Sequence, residues 1–326
     1  MRTLPIARPG MNPDRTRQLM RAYFVALSGR LANALDCGLG VSQRGRQSVW
    51  LSPASVELAW HPGELTSTRA AMARADLRRQ VQLPVSLTHV HGSRPEWWAE
   101  LAIERLSGAA ALHEAVQLGY SARPPATAVR GVMEALSALE AIWPAAAAEV
   151  RLLAPTLVYV GGGNFRSATF QQLFGVIFVG DAQCETLPAT VEMLVHETAH
   201  LSLFLQVAFE PCLENPGRLV RHPLLDAPRP LEGAFHAAFA LERMATVFAR
   251  WCDTGPEEQL AEVRDRFLDA LSKLDATLTT VMAEGSFTPA GERHFRFIVA
   301  RLEQLRLVAE GNGAGRCQGV IDACQQ

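Results

Sequence analysis

Residues 191–204 contain the pentapeptide His196-Glu197-Thr198-Ala199-His200, an H-E-x-x-H sequence inside a run of good helix formers. On a helix, side chains four residues apart project from one face, one turn above the other. Two imidazoles so placed can grip a single metal ion, with the intervening Glu197 beside the open coordination position as a base or orienting partner. The flanking Val191, Leu194, Val195, Leu201, Leu203 and Phe204 are apolar, so this helix is expected to be buried. Imidazole and carboxylate groups are costly in such surroundings unless they are paired or metal-bound. The plainer alternative is a core helix whose two histidines are satisfied by hydrogen bonds.

Two histidines do not make a stable site, so a third ligand is needed. No Gly-x-x-His continuation follows His200, which removes the longer three-histidine protease pattern. The next strong helical pattern, over residues 231–251, carries Glu232, His236 and Arg243 at spacings of four and seven, on one continuous face. They stand among Phe235, Phe239, Leu241 and Met244, while Glu242 lies off the stripe. His236 is the expected third ligand and Glu232 the alternative; whichever does not ligate could orient the other. The competing reading is an amphipathic helix whose polar stripe meets solvent.

The rest of the chain reads as an α+β fold, predominantly helical, with the metal helix packed beside a small sheet and a helical C-terminal part. Residues 1–125 form a mainly helical N-terminal region, a candidate for substrate docking. Residues 126–310 form the metal-binding catalytic region, and 311–326 a Gly-bearing mobile tail. In the first region, Asn12-Pro13-Asp14 has the look of a helix start, and the helix runs to about Leu35. An Arg-rich helical stretch at 67–82, a β-like run at 85–90 and a helix at 96–117 follow. His89 and His91 alternate along that run and would share one side of a strand. After a Pro-Pro linker near 121–126 comes an Ala-rich helix from Ala128 to about Val150, kinked or broken at Pro144. Strands are expected at 152–160, stopped by Gly161-Gly162-Gly163, and at 174–180. The second of these could offer its edge to a peptide by strand addition. Thr186 or Thr190 could cap the metal helix. Helices at 231–251, 257–280 and 290–310 complete the chain.

Bulk properties bound the function. A formal net charge of -2 argues against a nucleic-acid or anionic-membrane partner attracted by bulk charge. No apolar run reaches the roughly 18–20 residues of a membrane span, and the first ten residues lack the apolar core of a secretory signal. A cytoplasmic location is therefore expected. The six cysteines are scattered without a C-x-x-C pair and are expected to be free thiols. Nothing in the sequence sets the oligomeric state.

Three segments carry a family resemblance. They are Phe174-Gly-Val-Ile-Phe, then Leu194-Val-His-Glu-Thr-Ala-His-Leu, then Arg229-Pro-Leu-Glu-Gly-Ala-Phe-His236. Together they resemble the H-E-x-x-H-type peptide β-hydroxylases, 2-oxoglutarate-dependent iron enzymes associated with ribosomally made, post-translationally modified peptides. The resemblance covers roughly residues 150–250. It implies Fe(II) held by His196, His200 and His236, with 2-oxoglutarate as co-substrate and a precursor-peptide side-chain Cβ–H as target. The distal carboxylate of 2-oxoglutarate suits a guanidinium, which binds carboxylates bidentately. Arg229, Arg243 and Arg166 are the candidates. The rival enzyme is a zinc peptidase in which Glu197 activates a zinc-bound water and His236 or Glu232 completes the site. A third reading is a peptide-binding protein with a closed, structural metal site.

Overall fold

The computed structural model describes residues 13–34 and most of 126–311, with short pieces between residues 56 and 120. The helix expected at 96–117, most of the Arg-rich stretch at 67–82, His91 and the tail from residue 312 onward lie outside the described residues. The chain is mostly helical with a small mixed sheet, an α+β architecture. It divides into two compact units, each discontinuous in sequence. One takes Met1–Met11, Ala135–Ala147 and the chain from Val191 onward; the other takes Asn12–Glu134 and Ala148–Thr190. Among the described residues, no helix is long and apolar enough to cross a membrane.

The sheet belongs to the second unit. Helix α1 (Pro13–Ala34) buries Leu19, Tyr23 and Leu27 at four-residue intervals, with Met20 and Phe24 beside them. Tyr23 and Phe24 meet Phe174 with ring centroids 5.1 Å and 5.8 Å apart. Strand β3 (Thr156–Gly161) pairs on one edge with two short strands, β1 (His89–Val90) and β2 (Gly119–Tyr120). On its other edge it pairs in parallel with β5 (Val176–Gly180), register Thr156 to Val176. All five residues of β5 are buried, as a continuous Val-Ile-Phe-Val run in a parallel pair requires. Gly175 enters it with φ of 96°, a conformation that other residues adopt only with strain.

Two expectations need correcting here. The strand expected from residue 152 begins at Thr156, because the Ala-rich helix holds as far as Leu153. Pro155 then disfavours helical backbone at Ala154. The edge of β5 is also not open for strand addition. The two-residue strand β4 (Ser167–Ala168) pairs antiparallel with Phe178 and Val179, and the Thr169 hydroxyl donates to the Val176 carbonyl at 2.9 Å. The break at Pro144 is present: α2 (Ala126–Ile142) ends before it and α3 (Pro144–Leu153) starts on it, the helix position where a missing N–H costs least.

The first unit is helical apart from one ribbon. Helix α4 (Leu187–Val207) carries the H-E-x-x-H sequence, and its histidine-bearing part lies in this unit. A hairpin of β6 (Leu219–Arg221) and β7 (Pro228–Pro230) leads into α5 (Leu231–Thr254), followed by α6 (Glu257–Glu284) and α7 (Pro289–Gly311). Helix α5 is buried almost all round from Ala234 to Ala249. Its charged residues are accordingly paired. Glu242 accepts hydrogen bonds from Thr246 at 3.0 Å and from the Arg301 guanidinium at 3.2 Å, across to α7. The loop before the hairpin is tied to the α6–α7 turn, where Ser286 N–H donates to Asn215 Oδ1 at 2.9 Å and Thr288 N–H to the Cys212 carbonyl at 3.1 Å.

Gly291 packs directly on that loop, and a Cβ there would lie 1.7 Å from the Cys212 carbonyl oxygen. The clash is with backbone, so α7 or the loop must move. Gly291→Ala should therefore destabilise the protein by about 1–3 kcal/mol, outweighing the roughly 1 kcal/mol that alanine gains in a helix. An unchanged urea midpoint would show that the loop is not held against α7.

Candidate metal centre on helices α4 and α5

Local sequence sets the start of α4. Thr186 Oγ1 accepts the Ala189 N–H at 3.2 Å, the arrangement of an N-terminal cap. Thr190, the other candidate, instead donates back to the Thr186 carbonyl at 2.9 Å. From that start the 3.6-residue repeat brings His196 and His200 to one face, with ring centroids 4.6 Å apart. Their Nε2 atoms face each other at 3.0 Å. On the next helix, Met244 places its thioether 3.2 Å from His196 Nδ1. A thioether can only accept, so this contact is a hydrogen bond only when Nδ1 carries the proton. His196 Nε2 then bears a lone pair, and the His200 Nε2–H donates to it.

His236 reaches the same cluster from α5. Its ring lies nearly parallel to that of His200, with centroids 5.7 Å apart, and against Phe204 at 4.9 Å. The side chain is buried, and Nε2 has no hydrogen-bond partner. Burial, with His196 and His236 adding to it, holds the His200 pKa well below the usual imidazole value. Burial alone takes His236 down to about 4. The cluster therefore presents neutral imidazoles, the form that binds metal. This fits an ion: the two facing nitrogens can both reach one at bond lengths of about 2.0–2.1 Å, and His236 has an unspent buried donor atom nearby. Among the described residues, no group of three or more His, Cys, Asp or Glu side chains is already arranged to hold a metal. The preformed part is the His196–His200 pair.

The other candidates separate clearly. Glu232 is exposed on the first turn of α5, whereas His236 is buried beside His200. The stripe on α5 meets solvent only at Glu232, since His236 and Arg243 are 6% and 4% exposed. Arg243 donates from Nη2 to Ser202 Oγ at 3.2 Å and lies over the Phe239 ring at 4.5 Å. It is thus tied to α4 one half-turn beyond His200. Arg229 sits on β7, with the burial of His222 and the Arg229 charge together lowering the His222 pKa. Arg166 is exposed in the sheet-bearing unit. Glu197 is only 3% exposed, deeper than the two partly exposed histidines that flank it. Sequence reasoning missed Met244 and Ser202 as polar partners. It also passed over His294, whose ring is 6.1 Å from Phe239.

The depressed imidazole pKa values have a stability consequence in the metal-free protein. His236 binds a proton near pH 6.5 when unfolded but only near pH 4 when folded. Below about 6.5 the unfolded state thus takes up the proton first. Stability should be full above that value and fall toward pH 4, by up to roughly 3 kcal/mol from this group. His200 acts in the same direction. Urea midpoints at pH 7.5, 5.5 and 4.5 measure the slope; a flat profile would mean that the imidazoles are not buried.

No protein-family model matches the chain, and no curated protein matches it.

Proposed function

We propose that the chain is an Fe(II)- and 2-oxoglutarate-dependent hydroxylase acting on a side-chain β-carbon of a ribosomally made precursor peptide. The observation that carries this reading is the pair of facing imidazole nitrogens on α4, together with a buried arginine of α5 that is hydrogen-bonded to Ser202 of the same α4 helix. His196 and His200 would hold the metal through Nε2, with His236 supplying the third nitrogen. Three protein nitrogens leave positions for a chelating 2-oxoacid and for O2. When bound, iron and 2-oxoglutarate would supply the oxidising power: the 2-oxoacid is converted to succinate and CO2, taking up one atom of O2, and the other atom turns the peptide C–H into C–OH.

The chain's own residues bind and orient. Arg243 is suited to the distal carboxylate of 2-oxoglutarate, because its guanidinium is buried, held by Ser202 and supported by Phe239. A carboxylate recognised there is shielded from water, where a charge-assisted pair is stronger than at the surface. Arg229 remains the alternative, on strand β7 just before the same helix. The depth of Glu197 supports a hydrogen-bonding role over that of a general base serving water in an open cleft. The rival reading, a zinc peptidase, keeps the same histidines and requires Glu197 to reach the metal-bound water.

Five variants test the assignment. His196→Ala and His200→Ala should each abolish stoichiometric metal binding, measured by elemental analysis after anaerobic loading. Retention of metal in either would remove the pair from the site. Arg243→Ala should weaken 2-oxoglutarate binding at least tenfold while leaving Fe(II) affinity nearly unchanged, read by isothermal titration. Equal 2-oxoglutarate binding in that variant and loss in Arg229→Ala would move the carboxylate site to the hairpin. Peptide cleavage by the parent, abolished in Glu197→Gln, would decide for the peptidase.

A further inference from the structure

A metal-ligating imidazole is normally oriented by a carboxylate, carbonyl or water on its other ring nitrogen. At His196 that place is taken by a methionine. Met244 is 6% exposed, one residue past Arg243, and its Sδ lies 3.2 Å from His196 Nδ1. We infer that Met244 is a positioning residue: its thioether accepts the His196 Nδ1–H and so keeps Nε2 unprotonated and aimed at the ion. The inference rests on the metal reading of His196, but the hydrogen bond itself does not.

Three features of the site converge. Methionine sulfur has no proton to give, so the contact selects one tautomer rather than tolerating either. The ring nitrogen left free by that tautomer is the one that faces His200 Nε2 at 3.0 Å. The sulfur also comes from α5, the helix that carries His236 and Arg243, so one helix supplies the third imidazole, the buried guanidinium and the partner that sets the first imidazole. A purely apolar role would put the thioether against carbon; here the sulfur meets a ring nitrogen. The chemical consequence follows from the acceptor. A neutral thioether draws less on the Nδ1 proton than a carboxylate does, so His196 remains a weaker base and the ion it holds a stronger Lewis acid.

The test uses the full chain with 15N-labelled histidine, and needs no turnover. In the metal-free parent, the His196 ring nitrogens should report a proton on Nδ1. Met244→Leu keeps the volume and removes the acceptor; it should shift His196 toward the Nε2–H tautomer and lower the affinity for Fe(II), or for Co(II) as a spectroscopic stand-in, by about tenfold. Met244→Gln, which returns an acceptor at similar reach, should restore the Nδ1–H tautomer and recover most of the affinity. An unchanged tautomer in Met244→Leu would overturn the inference, as would affinity lost equally in both variants. If the parent binds neither metal, the proposed function fails while the tautomer measurement still decides the role of Met244.

Discussion

Everything proposed for this protein depends on two neutral imidazoles held face to face inside a helical layer. His196 and His200 are within 3.0 Å at Nε2, and one proton between two lone pairs is what keeps that approach favourable in the absence of a metal. Burial makes protonating His200 costly, and the neighbouring His196 and His236 add to that cost. A site that refuses a second proton but has lone pairs to share is predisposed to a divalent cation. The surrounding chain supplies what such a site needs: apolar flanks on α4, a buried partner helix, and a thioether that sets the tautomer.

Helix α5 does most of this positioning. A helix buried almost all round can carry polar groups only where each finds a partner, and its Glu242, His236, Arg243 and Met244 meet different ones. Glu242 turns toward Arg301 and stabilises the contact with α7. His236, Arg243 and Met244 turn toward α4. The contact with α7 is thus made by a different side of the helix from the groups proposed to bind.

The helical frame was legible from sequence because its signals are local. The period of apolar residues, the Thr186 cap, Pro144 at a first turn and the Gly and Pro breaks after α4 can be read without knowing what packs where. The same holds for the shared face of His196 and His200. What was not legible is long-range. Ser167 and Ala168 have no strand-like pattern, so nothing revealed that β4 would cover β5 and close the edge expected to receive a peptide. Glu242 read as off-stripe because its partner, Arg301, is 59 residues away. Met244 read as core because its sulfur is an acceptor only once a ring nitrogen is placed beside it. Arg243 could be ranked against Arg229 and Arg166 only when burial distinguished them.

The central claim is that the paired imidazoles bind iron together with a chelating 2-oxoacid. Anaerobic titration of the metal-free protein with Fe(II) and 2-oxoglutarate, followed by visible absorption, tests it most directly. The account predicts a weak charge-transfer band that develops only when both components are present and saturates at one equivalent of iron. No band under those conditions, with tight stoichiometric zinc found instead, would contradict it.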